Sequence, residues 1–95
     1  MIVLVVTFES ALSEDEVFAV ARERLPEFQK LPGLVQKYYI KGDKPNHYGG
    51  VYVWDSAQSL NAYRESDLAK SIPAAYKTVG PPTIQRFESV FPLRA

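Results

Sequence analysis

No cysteine occurs among the 95 residues. That excludes disulfides, thiolate catalysis and zinc–thiolate sites together, and it fits a reducing compartment. There is one histidine, His47. One histidine without cysteine offers no ligand cluster, so no metal is expected. An excess of either charge is also lacking: eleven Lys and Arg balance eleven Asp and Glu, for a formal net charge of zero. No basic field or basic stretch is there to attract nucleic acid. Gly49-Gly50 is too little to cradle a phosphate, so no nucleotide cofactor is expected. No apolar run is long enough to span a membrane. Met1 leads into Ile2-Val3-Leu4-Val5-Val6, which has neither the basic flank nor the cleavage site of a signal peptide. The expectation is a cytoplasmic protein with a single domain over residues 1–95.

What the chain has instead is aromatic surface. Aromatic residues make up 13% of the sequence, and six of them are tyrosines. The chain is organised around His47-Tyr48-Gly49-Gly50-Val51-Tyr52-Val53-Trp54-Asp55, whose β-branched and aromatic residues suit a strand. Val51 and Val53 point to one side, and Tyr48, Tyr52 and Trp54 to the other. A strand apolar on both faces is covered on both faces. The two glycines mark a bulge, or a place where another group approaches the backbone.

The rest follows in chain order. Ile2 to Phe8 is a Val-rich strand. Ser13 and Glu16 have capping-box spacing, and Val17, Ala21, Leu25 and Phe28 follow at helical intervals, so residues 14–30 form an amphipathic helix. Pro26 lies inside it and should kink or divide it. Pro32-Gly33 stops it. Leu34 to Lys41 is a second strand, joined to the Gly-Gly strand as a hairpin by Gly42-Asp43-Lys44-Pro45-Asn46. Asp55 or Ser56 caps a helix with Ala57, Leu60 and Tyr63 on one side. Asp67 restarts it, with an inward stripe of Leu68, Ile72, Ala75 or Tyr76, and Val79, and a bend at Pro73. Thr83 to Phe91 is the last strand. The order β-α-β-β-α-β is the ferredoxin-like α+β plan: a four-stranded antiparallel sheet with helices on one face. Apolar residues of both parities predict that the helix-free face is buried against a second copy, giving a homodimeric barrel-like core.

Tyr52 and Trp54 share a strand face and either line a cavity or fill a core. Tyr63 either hydrogen-bonds a ligand or staples helix to sheet, and Tyr76 joins it as a binding candidate. Tyr38 and Tyr39 point opposite ways. Register decides which of them reaches a cleft, and Tyr39 is taken as the candidate. His47 is the one side chain that ordinarily titrates near neutrality, so it is a candidate general base, although a lone histidine at a turn is commonly just solvated. Arg86, with the parity of Ile84 and Glu88, either holds an anion or pairs with a neighbouring acid. Lys37 has the same two readings.

Leu31-Pro32-Gly33-Leu34-Val35-Gln36-Lys37, Tyr48-Gly49-Gly50-Val51-Tyr52-Val53-Trp54-Asp55-Ser56 and Leu60-Asn61-Ala62-Tyr63 resemble the dimeric α+β barrel superfamily. Within it they look like the YdhR-like monooxygenases, near the antibiotic-biosynthesis monooxygenases. The resemblance covers most of the chain. It implies a homodimer through the helix-free sheet face, with a small-molecule cleft between sheet and helices. It also implies a cofactor-independent monooxygenase acting on a phenolic or quinone-like aromatic compound. The alternative is a homodimer that binds a metabolite without chemistry, or that has only a structural or stress-related role. Trp54 matches the strand tryptophan that lines the cleft in antibiotic-type and haem-degrading relatives. The haem degraders also need an asparagine on the first strand and a histidine on the second helix. Here Thr7 and Tyr63 or Arg64 stand near those places, which disfavours haem degradation.

Overall fold

The structure, a computed structural model, describes residues 1–95. Four strands and four helical segments follow in the expected order: β1 (Ile2–Glu9), α1 (Glu14–Gln29), β2 (Leu34–Lys41), β3 (His47–Trp54), α2 (Ala57–Arg64), α3 (Asp67–Lys70), α4 (Ile72–Ala75) and β4 (Thr83–Glu88). The strands form one sheet in the order β2-β3-β1-β4, and every pairing is antiparallel. This is the ferredoxin-like α+β arrangement that the segment order requires.

The pleat sorts the side chains. On β1 and β3, Leu4, Phe8, Tyr48, Tyr52 and Trp54 are buried under the helices. Val3, Val5, Val51 and Val53 take the opposite parity and are only half-buried. The register of β1 with β3 pairs Leu4 with Tyr52 and Val5 with Val51, so each parity is continuous across both strands. On the helix-free face Tyr38 remains 57% exposed and Phe87 50%.

Local chemistry explains the helix limits. Ser13 accepts from the Glu16 amide at 3.3 Å, and the Ser13 amide donates to Glu16 Oε1 at 3.0 Å, the reciprocal capping box. Ser56, rather than Asp55, caps α2 by accepting from the Ser59 amide at 3.2 Å. Gly33 sits at φ +80° beneath α2, where a β-carbon would strike Ser59 and Asp55. Glycine is required there both by backbone angle and by space.

Of the two outcomes expected at Pro26, division does not occur: α1 runs through it as one helix. Two sequence expectations need correction. The stretch from Asp67 to Val79 is not one bent helix but two single turns, α3 and α4, meeting at Ser71 ahead of Pro73. A proline placed early in a turn can start a helix but cannot continue one. The last strand ends at Glu88, and Val90, Phe91 and Leu93 beyond it are exposed. No helix is long and apolar enough to cross a membrane.

Candidate functional site

Beneath the helices the core falls into two groups. One holds Leu4, Phe28, Tyr52, Trp54, Leu60 and Tyr63; the other holds Phe8, Val17, Tyr48 and Tyr76. Between Tyr48 and Tyr52 on β3 lies Gly50, which has no side chain to fill the gap. A β-carbon there would stand 3.1 Å from Lys37 Cε and 3.1 Å from Tyr52 Cε1. The result is a cleft of about 110 Å³ between the sheet, α1 and the end of α4. Val6, Phe8, Val17 and Ile72 give it apolar walls, and Tyr39, Tyr48, Tyr52 and Tyr76 bring hydroxyl-bearing rings.

Each wall has a local cause. An irregularity between Leu34 and Gln36 shifts β2 by one residue against β3. The shift turns Lys37, Tyr39 and Lys41 toward the helices, opposite Tyr52, Gly50 and Tyr48. Tyr76 is fixed by the end of β1. The buried Ser10 Oγ donates to the Tyr76 carbonyl at 2.5 Å, and the Val79 amide donates to the Glu9 carbonyl at 2.8 Å. That places the Tyr76 ring 5.0 Å from Phe8, centroid to centroid.

The electrostatics of the cleft are one-sided. Lys37 Nζ lies 3.5 Å from the Phe28 ring centroid, 4.4 Å from Tyr39 and 4.5 Å from Tyr52. Burial pulls the Lys37 amine down to about 7, and the like charge of Arg24 adds to the effect. Arg24, on α1, donates to Ser71 Oγ at 2.5 Å and to the Leu68 carbonyl at 3.2 Å, while its Nε is buried without a partner. Neither cation meets a carboxylate; the single ion pair in the protein is Lys41–Glu14, at the surface. Burial also raises the four tyrosines nearest these cations. Tyr76 goes up to about 12 and Tyr52 goes beyond the ordinary phenol range, with Tyr63 adding to Tyr52. Tyr39 and Tyr63 are raised as well, with Arg24 opposing the shift in each. At neutral pH these four hydroxyls keep their protons and can act only as neutral hydrogen-bonding groups.

The sequence candidates divide accordingly. Tyr39, Tyr52 and Tyr76 meet in the cleft, and Tyr48 joins them. Tyr63 lies behind Tyr52, with ring centroids 5.8 Å apart, and borders a neighbouring hollow rather than this one. Trp54 is 0% exposed. Its indole stacks parallel to Tyr52 and packs 5.2 Å from Tyr63, and it does not border this cleft but a separate hollow with Leu31, Pro32 and Ala62. His47 lies on β3 opposite Glu9, with the parity of the helix-free face, and its Nδ1 is 2.9 Å from the Pro45 carbonyl oxygen. Arg86 projects on the helix side opposite Leu4, from an exposed edge strand that does not border the cleft. No group of three or more His, Asp or Glu side chains is gathered anywhere in the protein.

One residue near the cleft, Arg24, escaped the sequence reading, and another, Lys37, was read without a direction. Arg24 stands on the stripe Val17, Ala21, Arg24, Phe28, at intervals that face the sheet, and a basic residue on that stripe was the available signal. Lys37 lies between Gln36 and Tyr38 in a strand, and its direction depends on the one-residue shift after Leu34.

The comparison with known proteins agrees with this architecture. The family model described as "Putative mono-oxygenase ydhR" matches residues 3–87. No curated protein matches the sequence significantly. Among solved structures, SnoaB, a cofactor-independent oxygenase from Streptomyces nogalater, superposes with a TM-score of 0.79 at 18% identity, covering 99% of this chain and 97% of that one. A "putative antibiotic biosynthesis monooxygenase" from Deinococcus radiodurans gives a TM-score of 0.77 at 11% identity, covering 100% and 98%. The protein of unknown function NE2512 from Nitrosomonas europaea gives 0.79 at 18%, covering 96% and 90%. At these identities the likeness to the solved structures is one of fold.

Proposed function

Since the chain belongs to the family described as "Putative mono-oxygenase ydhR", we propose that it is a monooxygenase working without a cofactor on a small phenolic or quinone-like aromatic compound. The observation that carries the reading is the cleft at Gly50, walled by apolar side chains and by the rings of Tyr39, Tyr52 and Tyr76. Such walls stack on a planar ring, and their hydroxyls orient its oxygens. In this chemistry the reduced ring itself supplies both electrons. One atom of dioxygen ends on the ring and the other leaves as water. The protein has only to orient the ring, assist its ionisation and keep bulk water out. The kinship in fold with SnoaB, a cofactor-independent oxygenase, supports that choice.

A panel of hydroquinones and anthrones incubated with the protein under oxygen tests the reading. Protein-dependent oxygen uptake with at least one member, together with its quinone product, is the expected result. No uptake across the panel overturns it. Saturable stabilisation of the protein by an unchanged ligand would then favour the non-catalytic binding module.

The working unit in this proposal is a homodimer closed through the helix-free sheet face. The exposed Tyr38 and Phe87 and the half-buried valines of β1 and β3 supply the apolar surface for it. Sedimentation at micromolar concentration should give twice the monomer mass, and Phe87→Arg should shift it toward the monomer. A wild-type monomer would overturn the assembly.

A further inference from the structure

We propose that Lys37 is the proton acceptor of the cleft. An aromatic ligand with an acidic hydroxyl enters, the hydroxyl gives its proton to Nζ, and the phenolate or enolate stays beside the new ammonium. The O–H bond breaks and an N–H bond forms. The oxygen keeps the bonding pair, and no oxidant or reductant takes part. This deepens the monooxygenase reading and takes from it the choice of an aromatic ligand, but it is tested by binding rather than by turnover.

Three observations carry it. First, Lys37 lines the cleft and its amine lies 4.4 Å and 4.5 Å from two of the cleft's rings, Tyr39 and Tyr52. Second, the amine has no acid to hold it as a cation. Its side chain makes no ion pair or hydrogen bond, and the nearest groups are the rings of Phe28, Tyr39 and Tyr52. Burial therefore favours the free amine, while the ring faces oppose burial and favour the ammonium. The two tendencies leave it titrating at about 7, where a base can both take and release a proton. Third, a second uncompensated cation stands nearby. The charge of Arg24 reaches Tyr39, Tyr63, Tyr76 and Lys37, and its Nε is buried without an acceptor. Two cations facing neutral hydroxyls, with no carboxylate among them, make a site short of one negative charge. A bound phenolate supplies it.

The other titratable or charged groups around the cleft are Arg24 from α1, Tyr39 and Lys41 from β2, Tyr48 and Tyr52 from β3, Tyr63 from α2, and Tyr76 after α4. Lys41 is held in the charged form by Glu14, and Arg24 is charged throughout. Tyr39, Tyr52, Tyr63 and Tyr76 are all shifted away from neutrality. Lys37 thus governs the behaviour around neutral pH.

The probe is 2-naphthol, which ionises well above neutrality and absorbs at longer wavelength as naphtholate. Bound to the wild type below its own ionisation range, it should show the naphtholate band. Apparent affinity should rise about tenfold per pH unit below the Lys37 titration and level off above it. Lys37→Met should bind neutral naphthol with no naphtholate band and no pH dependence in this range. Lys37→Arg keeps a cation that cannot give up its proton, so its affinity should keep climbing past neutrality with no plateau. A naphtholate band that survives in Lys37→Met would overturn the inference. So would neutral naphthol bound to the wild type, a wild-type profile without a break near neutrality, or no saturable binding. Oxygen uptake with neutral ligand bound would remove the proton acceptor and leave the monooxygenase standing. An ionised ligand with no uptake on any substrate would do the reverse.

Discussion

The two ends of β3 are built on opposite plans. At the Trp54 end large side chains pack under the helices: the indole has no exposed surface, Tyr52 and Tyr63 lie against it, and Leu60 closes the contact from α2. Four residues earlier the same sheet face offers Gly50, and a hollow opens between Tyr48 and Tyr52. The filled end holds the sheet to α2. The hollow end leaves a space bordered by Lys37 and by the rings of Tyr39, Tyr48, Tyr52 and Tyr76. Tyr52 belongs to both, with one side of its environment packed and the other facing the cleft.

The contrast breaks most sharply at its solid end. Trp54→Ala should destabilise the protein by about 3–5 kcal/mol, as expected for a large buried side chain whose surroundings collapse only in part. Denaturant titration measures it. A loss below about 1 kcal/mol would mean that the indole is less tightly enclosed than its contacts indicate. Filling the hollow end should do the converse. Gly50→Val places methyl groups against the Lys37 stem and the Tyr52 ring, so 2-naphthol affinity should fall at least about tenfold. Stability should fall by about 1–3 kcal/mol, because the lysine stem can yield but the buried Tyr52 ring has little room to. Unchanged binding would place the guest elsewhere.

The last effect sharpens the electrostatic side. The folded value of Lys37 is lowered to about 7 from an ordinary 10.5. Between those values the unfolded chain binds more protons than the folded one, so stability rises with pH across that window. The raised tyrosines oppose this only from about pH 10 upward, where the unfolded phenols begin to ionise. Melting temperature should therefore climb by several degrees from pH 7 to pH 9 in the wild type and stay flat in Lys37→Met. A flat wild-type profile would show that Lys37 stays solvated.

The hydrophobic pattern carried most of the fold. Alternation in β3 separated valines from aromatics, the Ser13–Glu16 spacing marked the start of α1, and the segment order led to the sheet. The site was less legible, and the reason is a single extra residue in β2. Strict alternation from Leu34 would put Tyr38 inside. The shift before Gln36 turns Tyr39 and Lys37 inward instead, and nothing in the composition of Val35 announces it. Lys37, seen with two readings, could not be aimed. Arg24 was passed over because a helical stripe is read for apolar residues, and a guanidinium on it looks like an exception rather than a member. Trp54 misled in the other direction, since a large ring with a polar edge suits a cavity wall as well as a core, and only the packing around it decides. The cleft itself was expected between sheet and helices. Its position at Gly50 follows from a missing side chain, a vacancy that sequence shows only when the neighbours on either side are known to face inward.

Trp54 is the only tryptophan in the chain, and it is sealed from solvent directly behind a tyrosine of the cleft wall. The molecule thus carries an intrinsic fluorophore of known location, whose burial should shift its emission to the blue and whose neighbours Tyr52 and Tyr63 lie close enough to feed it excitation energy. A guest arriving at Gly50, as proposed, should perturb that antenna without touching the indole. Occupancy can be followed in unlabelled protein, by the change in tyrosine-sensitised emission.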